Sequence, residues 1–168
     1  REAPSDVCGT AQGPLPGLKP VLDEWLALMC SDWGKEDAPW WYNERASVSQ
    51  FAGAVWRRGG WVFEEYSVNR KSPAGKHDGC RRGRCDLMFE FGDMRVVAEA
   101  KQLWLPWTLR GSAFARVDHA LRRAWLEVNT APDVSGHYRR FGLVFVAPWV
   151  RRSLGSSPDV FDTRLRAC

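Results

Sequence analysis

The sequence predicts an α/β fold, a mixed β-sheet flanked by helices, and three observations predict it. Apolar residues recur at helical spacing ahead of Gly59-Gly60 and again from Phe114 onward. Between these stretches, two runs rich in apolar and aromatic residues are separated by Gly92-Asp93, a pair with the chemistry of a tight turn. A last short apolar run, residues 141–147, has the composition of a buried strand. Helix, strand, hairpin, helix and strand in that order suit a mixed sheet with helices packed on it.

The elements follow in order. Residues 1–17 carry several Pro and Gly without apolar periodicity and read as a flexible tail or linker. Residues 19–30 form an amphipathic helix with Leu22, Trp25, Leu26 and Met29 on one side. Residues 41–58 form a second helix, in which Glu44, Val48, Phe51 and Val55 share a stripe, and Gly59-Gly60 ends it. Glu44 thus lies on the inward face near the helix start. A glutamate there caps the helix, meets an arginine, or points into a site. Residues 61–68 read as a strand and 69–84 as a polar loop. The hairpin comes next, over 85–91 and 94–100, with Gly92 supplying positive φ at the turn. Phe114, Val117, Leu121, Ala124 and Val128 mark a further helix, and the strand at 141–147 is bounded by Arg139-Arg140 and Pro148. At 168 residues and 45% hydrophobic, the chain can bury one sizeable core, so residues 18–168 are read as a single domain. No run is apolar enough for a membrane span or a signal peptide.

The hairpin carries the chemistry. Side chains alternate along a strand, so Asp86, Met88 and Glu90 are expected on one face and Cys85, Leu87, Phe89 and Phe91 on the other. On the second strand Val97, Glu99 and Lys101 share a face, and pairing about the turn sets Asp86 level with Glu99. Charges inside apolar strands are costly unless something compensates them. Two carboxylates and a lysine suit a hard divalent cation and a phosphodiester. Mg²⁺ takes one or two carboxylates plus waters and phosphate oxygens. Asp86 and Glu99 would supply the carboxylates and the carbonyl of Ala100 a third oxygen, while Lys101 would orient a water and balance developing charge. Gln102, beside the lysine, is a candidate donor to that water or phosphate. A lone Glu-x-Lys most often forms an exposed ion pair within its own strand, but Asp86 and Glu44 fall where one site needs them.

Asp86, twelve intervening residues and Glu99-Ala100-Lys101 resemble the PD-(D/E)xK nuclease superfamily, to which many restriction endonucleases and repair nucleases belong. Cys85 stands where a Pro often precedes the Asp. The resemblance spans a core of about residues 44–148 and implies a restriction-endonuclease-like sheet and Mg²⁺-dependent hydrolysis of phosphodiester bonds, with Mn²⁺ as a substitute. In the superfamily the Asp and Glu bind the metal and the Lys assists the attacking water. A glutamate on the helix before the sheet often points at the metal, which is the role this implies for Glu44. Such domains also occur as C-terminal warheads of bacterial toxins. A chain beginning at Arg1 is expected to be a piece of a longer protein, and a toxin domain would meet an inhibitor or immunity protein. DNA is expected ahead of RNA as substrate, and double-strand cleavage with one site per chain would favour a homodimer. An inactive nuclease-fold module that only grips nucleic acid is the alternative.

Charge agrees with such a partner. The net charge is +4, yet from Arg57 to Arg84 eight Lys or Arg face three acids. Arg70, Lys71, Lys76, Arg81, Arg82 and Arg84 sit in the stretch leading to Asp86 and are expected to track a phosphate backbone. The pairs Arg122-Arg123, Arg139-Arg140 and Arg151-Arg152 read as solvated surface. Trp25, Trp56 and Trp125 read as core or rim residues, and Trp104 and Trp107 as a hydrophobic loop latch. His77, Cys80 and Cys85 lack a fourth zinc ligand, and His119 and His137 lack a nucleophile for a triad. Five cysteines, an odd number, suit a reduced cytoplasm, whether that of the producing cell or of a target cell.

Overall fold

In a computed structural model the described residues are 16–32, 38–70, 81–106, 112–130 and 137–149. They form a four-stranded mixed sheet with three α-helices, an α/β architecture. Helix α1 spans Lys19–Asp32 and α2 Glu44–Arg57; strands β1, β2 and β3 span Trp61–Arg70, Arg81–Phe91 and Met94–Pro106; α3 spans Ser112–Thr130 and β4 Arg139–Trp149. The strands lie in sequence order, with β1–β2 and β2–β3 antiparallel and β3–β4 parallel. A parallel pair needs a crossover, and α3 supplies it. Lys71 and Lys76, like Trp107 and the pair Arg151-Arg152, fall outside the described residues.

Helix α2 starts and stops as its sequence dictates. The Asn43 side chain accepts the N–H of Ala46 at 3.0 Å, and Gly59 at φ 80° ends the last turn. Val48, Phe51 and Val55 are buried as their spacing predicts. They face Leu87, Phe89, Val96, Ala98 and Ala100 of the sheet and Phe145 of β4, in the larger core. Phe51 meets Phe89 at 5.8 Å and Phe145 at 6.4 Å between ring centres, both edge-on. Trp25 of α1 leans on Phe145 from outside. Consecutive residues of β3 alternate, so Val97 faces the opposite side, where Cys85, Val68 and Val128 of α3 make a smaller core.

Four expectations are corrected. Arg81, Arg82 and Arg84 belong to β2 and pair with Arg70, Asn69 and Ser67 of β1, so this stretch is an extension of the hairpin and not a loop. Trp104 lies in β3 and not in a loop latch. On α3 Phe114 and Leu121 are exposed, while Ala124 and Val128 are buried, because the helix approaches β4 backbone-first. A Cβ at Gly142 would lie 3.0 Å from the Trp125 nitrogen and 3.2 Å from the Leu121 carbonyl oxygen. Trp56 and Trp125 are likewise exposed, a rim position at most.

The fourth correction positions the site. Pairing of β2 with β3 runs from Phe91↔Met94 to Leu87↔Ala98 and stops there. Beyond it β2 continues with β1 as far as Arg70↔Arg81, and β3 with β4 as far as Pro106↔Trp149. The sheet therefore forks at Asp86 and Glu99. Alternation does not survive the fork: Leu87 and Phe89 join the larger core, but Cys85 joins the smaller one beside Met88 and Val97.

Candidate active site at the strand fork

Backbone groups that lose their ladder partners need others. In the crotch of the fork two side chains of β2 supply them. The Ala100 N–H donates to Asp86 Oδ2 at 2.7 Å, and the Cys85 thiol donates to the Ala98 carbonyl at 3.3 Å. Burial, ahead of the nearby Glu99 charge, pushes the Cys85 thiol up to about 12, so it is a neutral donor at physiological pH.

Glu99, across the fork, is 2% exposed and is the one charged side chain that is buried among the described residues. Its charge reaches the Tyr66 phenol, whose pKa is raised first by burial and then by Cys85 and Glu99. Glu99 thus stands in the buried neighbourhood of Tyr66 and Cys85, an unusual place for a carboxylate.

Lys101 is half-buried, and its ammonium bonds Glu127 of α3 at 2.7 Å. Burial pulls its pKa down. The bond to Glu127 and the charges of Glu127, Glu44 and Asp86 more than reverse this, so the ammonium is held above its ordinary value. A within-strand ion pair between Glu99 and Lys101, the plainer alternative for a Glu-x-Lys, is not what the fold makes: the lysine's partner is on α3.

Glu44, at the first turn of α2, accepts the Gln102 N–H at 2.9 Å. Its pKa is raised, chiefly by burial; Lys101 and the Gln102 N–H oppose the rise, and Asp86 and Glu127 add to it. Asp86, Glu44 and Lys101 thus feel one another's charge. The Gln102 amide donates to the Trp40 carbonyl at 2.9 Å and accepts from Ser47 at 3.2 Å, so Gln102 ties β3 to the start of α2.

Two clefts adjoin these groups. One, of about 340 Å³, is lined by Asn43, Glu44, Arg45, Val48, Glu64, Glu65 and Asp86. Glu65 falls opposite Asp86 in the β1–β2 register and adopts φ 48°, a conformation that costs a non-glycine residue about 1–3 kcal/mol. Arg45 and Arg84 both bridge to Glu65. The other cleft, of about 390 Å³, lies between β3 and α3 and is lined by Lys101, Gln102, Leu103, Arg116, His119 and Arg123, with Ala115 and Ala120.

Sequence reasoning missed Glu64, Glu65, Glu127, Arg116, His119 and Arg123. Residues 116, 119, 123 and 127 recur at helical spacing, which is the signal that could have found the last four. Arg123 is no bystander of the Arg122-Arg123 pair: Arg122 bonds Asp118 in solvent, while Arg123 turns to Glu127 and the cleft.

The donors at the fork are carboxylate and carbonyl oxygens, the chemistry a hard cation prefers. Among the described residues no three His, Cys, Asp or Glu side chains converge as a metal's ligand set would, so Asp86, Glu99 and Glu44 do not form one three-carboxylate cluster. Two carboxylates with the Ala100 carbonyl still match what Mg²⁺ takes from a protein, waters and substrate completing its shell. Among the same residues no helix is long and apolar enough to cross a membrane. No protein-family model, curated protein or solved structure matches this chain.

Proposed function

We propose that the chain is a Mg²⁺-dependent nuclease hydrolysing phosphodiester bonds, of DNA ahead of RNA, on a restriction-endonuclease-like core. The observation that carries this reading is the fork, which brings Asp86 of β2 to the backbone of Ala100, between Glu99 and Lys101 of β3. These are the residues by which the sequence resembles the PD-(D/E)xK superfamily. Asp86, Glu99 and the Ala100 carbonyl would hold the ion. Bound there, Mg²⁺ supplies charge neutralisation at the phosphate and a more acidic water.

The chain's own groups have distinct parts. Lys101, kept protonated by Glu127, is a cation at neutral pH and not a base. It orients the attacking water and offsets charge on a non-bridging phosphate oxygen. Glu44, with its raised pKa, is suited to take or hold a proton near that water. Gln102 fixes the height of β3 against α2, with capacity left on its amide for a substrate oxygen. Arg82 and Arg84, exposed on β2, extend the approach for a phosphate backbone. A toxin domain acting in a target-cell cytoplasm, with a dedicated inhibitor, and a homodimer cutting both strands are the biological settings this chemistry suits.

The alternative, a module that binds nucleic acid without cutting it, draws on the Lys101–Glu127 bond, which already occupies the ammonium. Plasmid cleavage separates the two. Supercoiled DNA is expected to disappear in Mg²⁺ or Mn²⁺, to survive in EDTA, and to survive with Lys101→Ala, whose rate falls by about 100-fold or more. If the wild type leaves plasmid, linear DNA, single strands and RNA all intact in both metals, the enzyme reading is lost.

A further inference from the structure

Apart from Lys101 and Gln102, the residues lining the cleft between β3 and α3 have no role in the chemistry just described, yet they are not those of an idle groove. Lys101, Arg116, His119 and Arg123 line it, and no acidic side chain is among its described lining residues. Glu127, at one end, bonds Lys101 at 2.7 Å and lies 3.7 Å from Arg123, so it offsets one of the three permanent cations and leaves the cleft positive. Arg116 is anchored by a hydrogen bond to the Trp104 carbonyl at 3.2 Å, which holds its guanidinium over the strand instead of leaving it to wander in solvent. Arg116 and Arg123 are seven residues apart, about 10 Å along the helix axis. Both therefore face the same trough, with Leu103 and Ala120 as its apolar floor. Guanidinium groups set in pairs are the usual recognition element for phosphate oxygens.

We propose that this cleft seats an internal backbone phosphate of the strand whose scissile bond lies at the fork, with Arg116 and Arg123 as its ligands and Lys101 shared between the two positions. This rests on the nuclease reading for its geometry, but binding can be measured without cleavage. Lys101 lines the cleft and is also the lysine of the fork, so a strand passing through the fork must pass the mouth of the cleft. Phosphate recognition here carries no sequence information and would make binding general and steeply salt-dependent.

The test is fluorescence anisotropy of dye-labelled 15-nucleotide DNA, single- and double-stranded, titrated with the full chain in EDTA over a salt series. Arg116→Ala/Arg123→Ala is expected to weaken binding roughly tenfold or more and to lower the salt slope by about two. Arg122→Ala, which removes one positive charge from the solvent side of α3, is expected to leave both unchanged. Arg116→Lys/Arg123→Lys is expected to keep the slope while losing part of the affinity, and circular dichroism checks that each variant is folded. Equal binding by wild type and double alanine variant overturns the proposal, as does an equal loss with Arg122→Ala, or no binding of either DNA form. Oligonucleotides with 5′-hydroxyl and 5′-phosphate ends are expected to bind alike. A preference for the phosphorylated end that disappears with the double variant would overturn the internal position in favour of a strand end. If cleavage is absent but the double variant still loses binding, the nuclease reading falls and the cleft stands; if cleavage is intact and binding unaltered, the reverse holds.

Discussion

Glu44 shows how one carboxylate can serve a site at the expense of the fold. Its pKa is raised chiefly by burial, so folding shifts its balance toward the protonated form relative to the unfolded chain. A raised folded-state pKa means that the contribution to stability is full below the unfolded value, about 4.3, and is lost as pH rises through the folded value. At pH 7 the ionised side chain therefore destabilises. Glu44→Gln keeps an acceptor for the Gln102 N–H while removing the charge. Its melting temperature is expected to exceed that of the wild type by more at pH 7 than at pH 4, with cleavage reduced. A difference that is constant over that pH range would show that folding does not raise the Glu44 pKa. The place of Glu44 was legible from its apolar stripe, Val48, Phe51 and Val55, since that stripe can only face the sheet. Glu65 was not legible, because a left-handed residue inside a strand leaves no trace in composition.

At the scale of elements, Gly142 decides how α3 sits. The closest approach is of helix backbone to strand backbone, 3.0 Å from a would-be Cβ to the Trp125 nitrogen. Gly142→Val is expected to cost about 1–3 kcal/mol in urea denaturation, since neither backbone can yield without moving a whole element. Loss of less than about 0.5 kcal/mol would mean that α3 is held elsewhere. The same docking explains why an apolar stripe misled. Phe114 and Leu121 lie on the 3.6-residue period, yet a helix seated on a glycine buries the small Ala124 instead and leaves its large residues outside. The hairpin was legible because its turn is: Gly92 takes φ 56°, and register follows from the turn. Where the ladder ends was not, because period-2 alternation describes strands only while they stay paired. The length of β2 escaped for a simpler reason, since Arg81, Arg82 and Arg84 are polar residues that resemble loop in any sequence. The arginines of α3 escaped because a charged helix face looks solvated until a lysine is found opposite it.

For the whole molecule, the sheet's central position and two-sided cover were legible from the order of elements alone. One residue ties the larger side together. Phe51 touches both Phe89 of β2 and Phe145 of β4, so it spans the sheet from one half of the fork to the other. Phe51→Ala is expected to remove about 3–5 kcal/mol, a large part of a typical total stability of about 5–15 kcal/mol. Thermal unfolding followed by far- and near-ultraviolet circular dichroism checks this, and a fall in melting temperature under 5 °C would mean that the two halves are joined by other means.

Lys101 and Gln102 are neighbours on β3, and each is gripped from a different layer: the lysine by Glu127 of α3, the glutamine by Ser47 of α2, by the Trp40 carbonyl and through its N–H by Glu44. A strand clamped on both sides at adjacent residues behaves as a rocker. Any twist of β3 that draws the ammonium away from α3 must also tug on the first turn of α2. An anion competing with Glu127 for Lys101 would therefore be registered mechanically at the start of α2, where Glu44 accepts the Gln102 N–H.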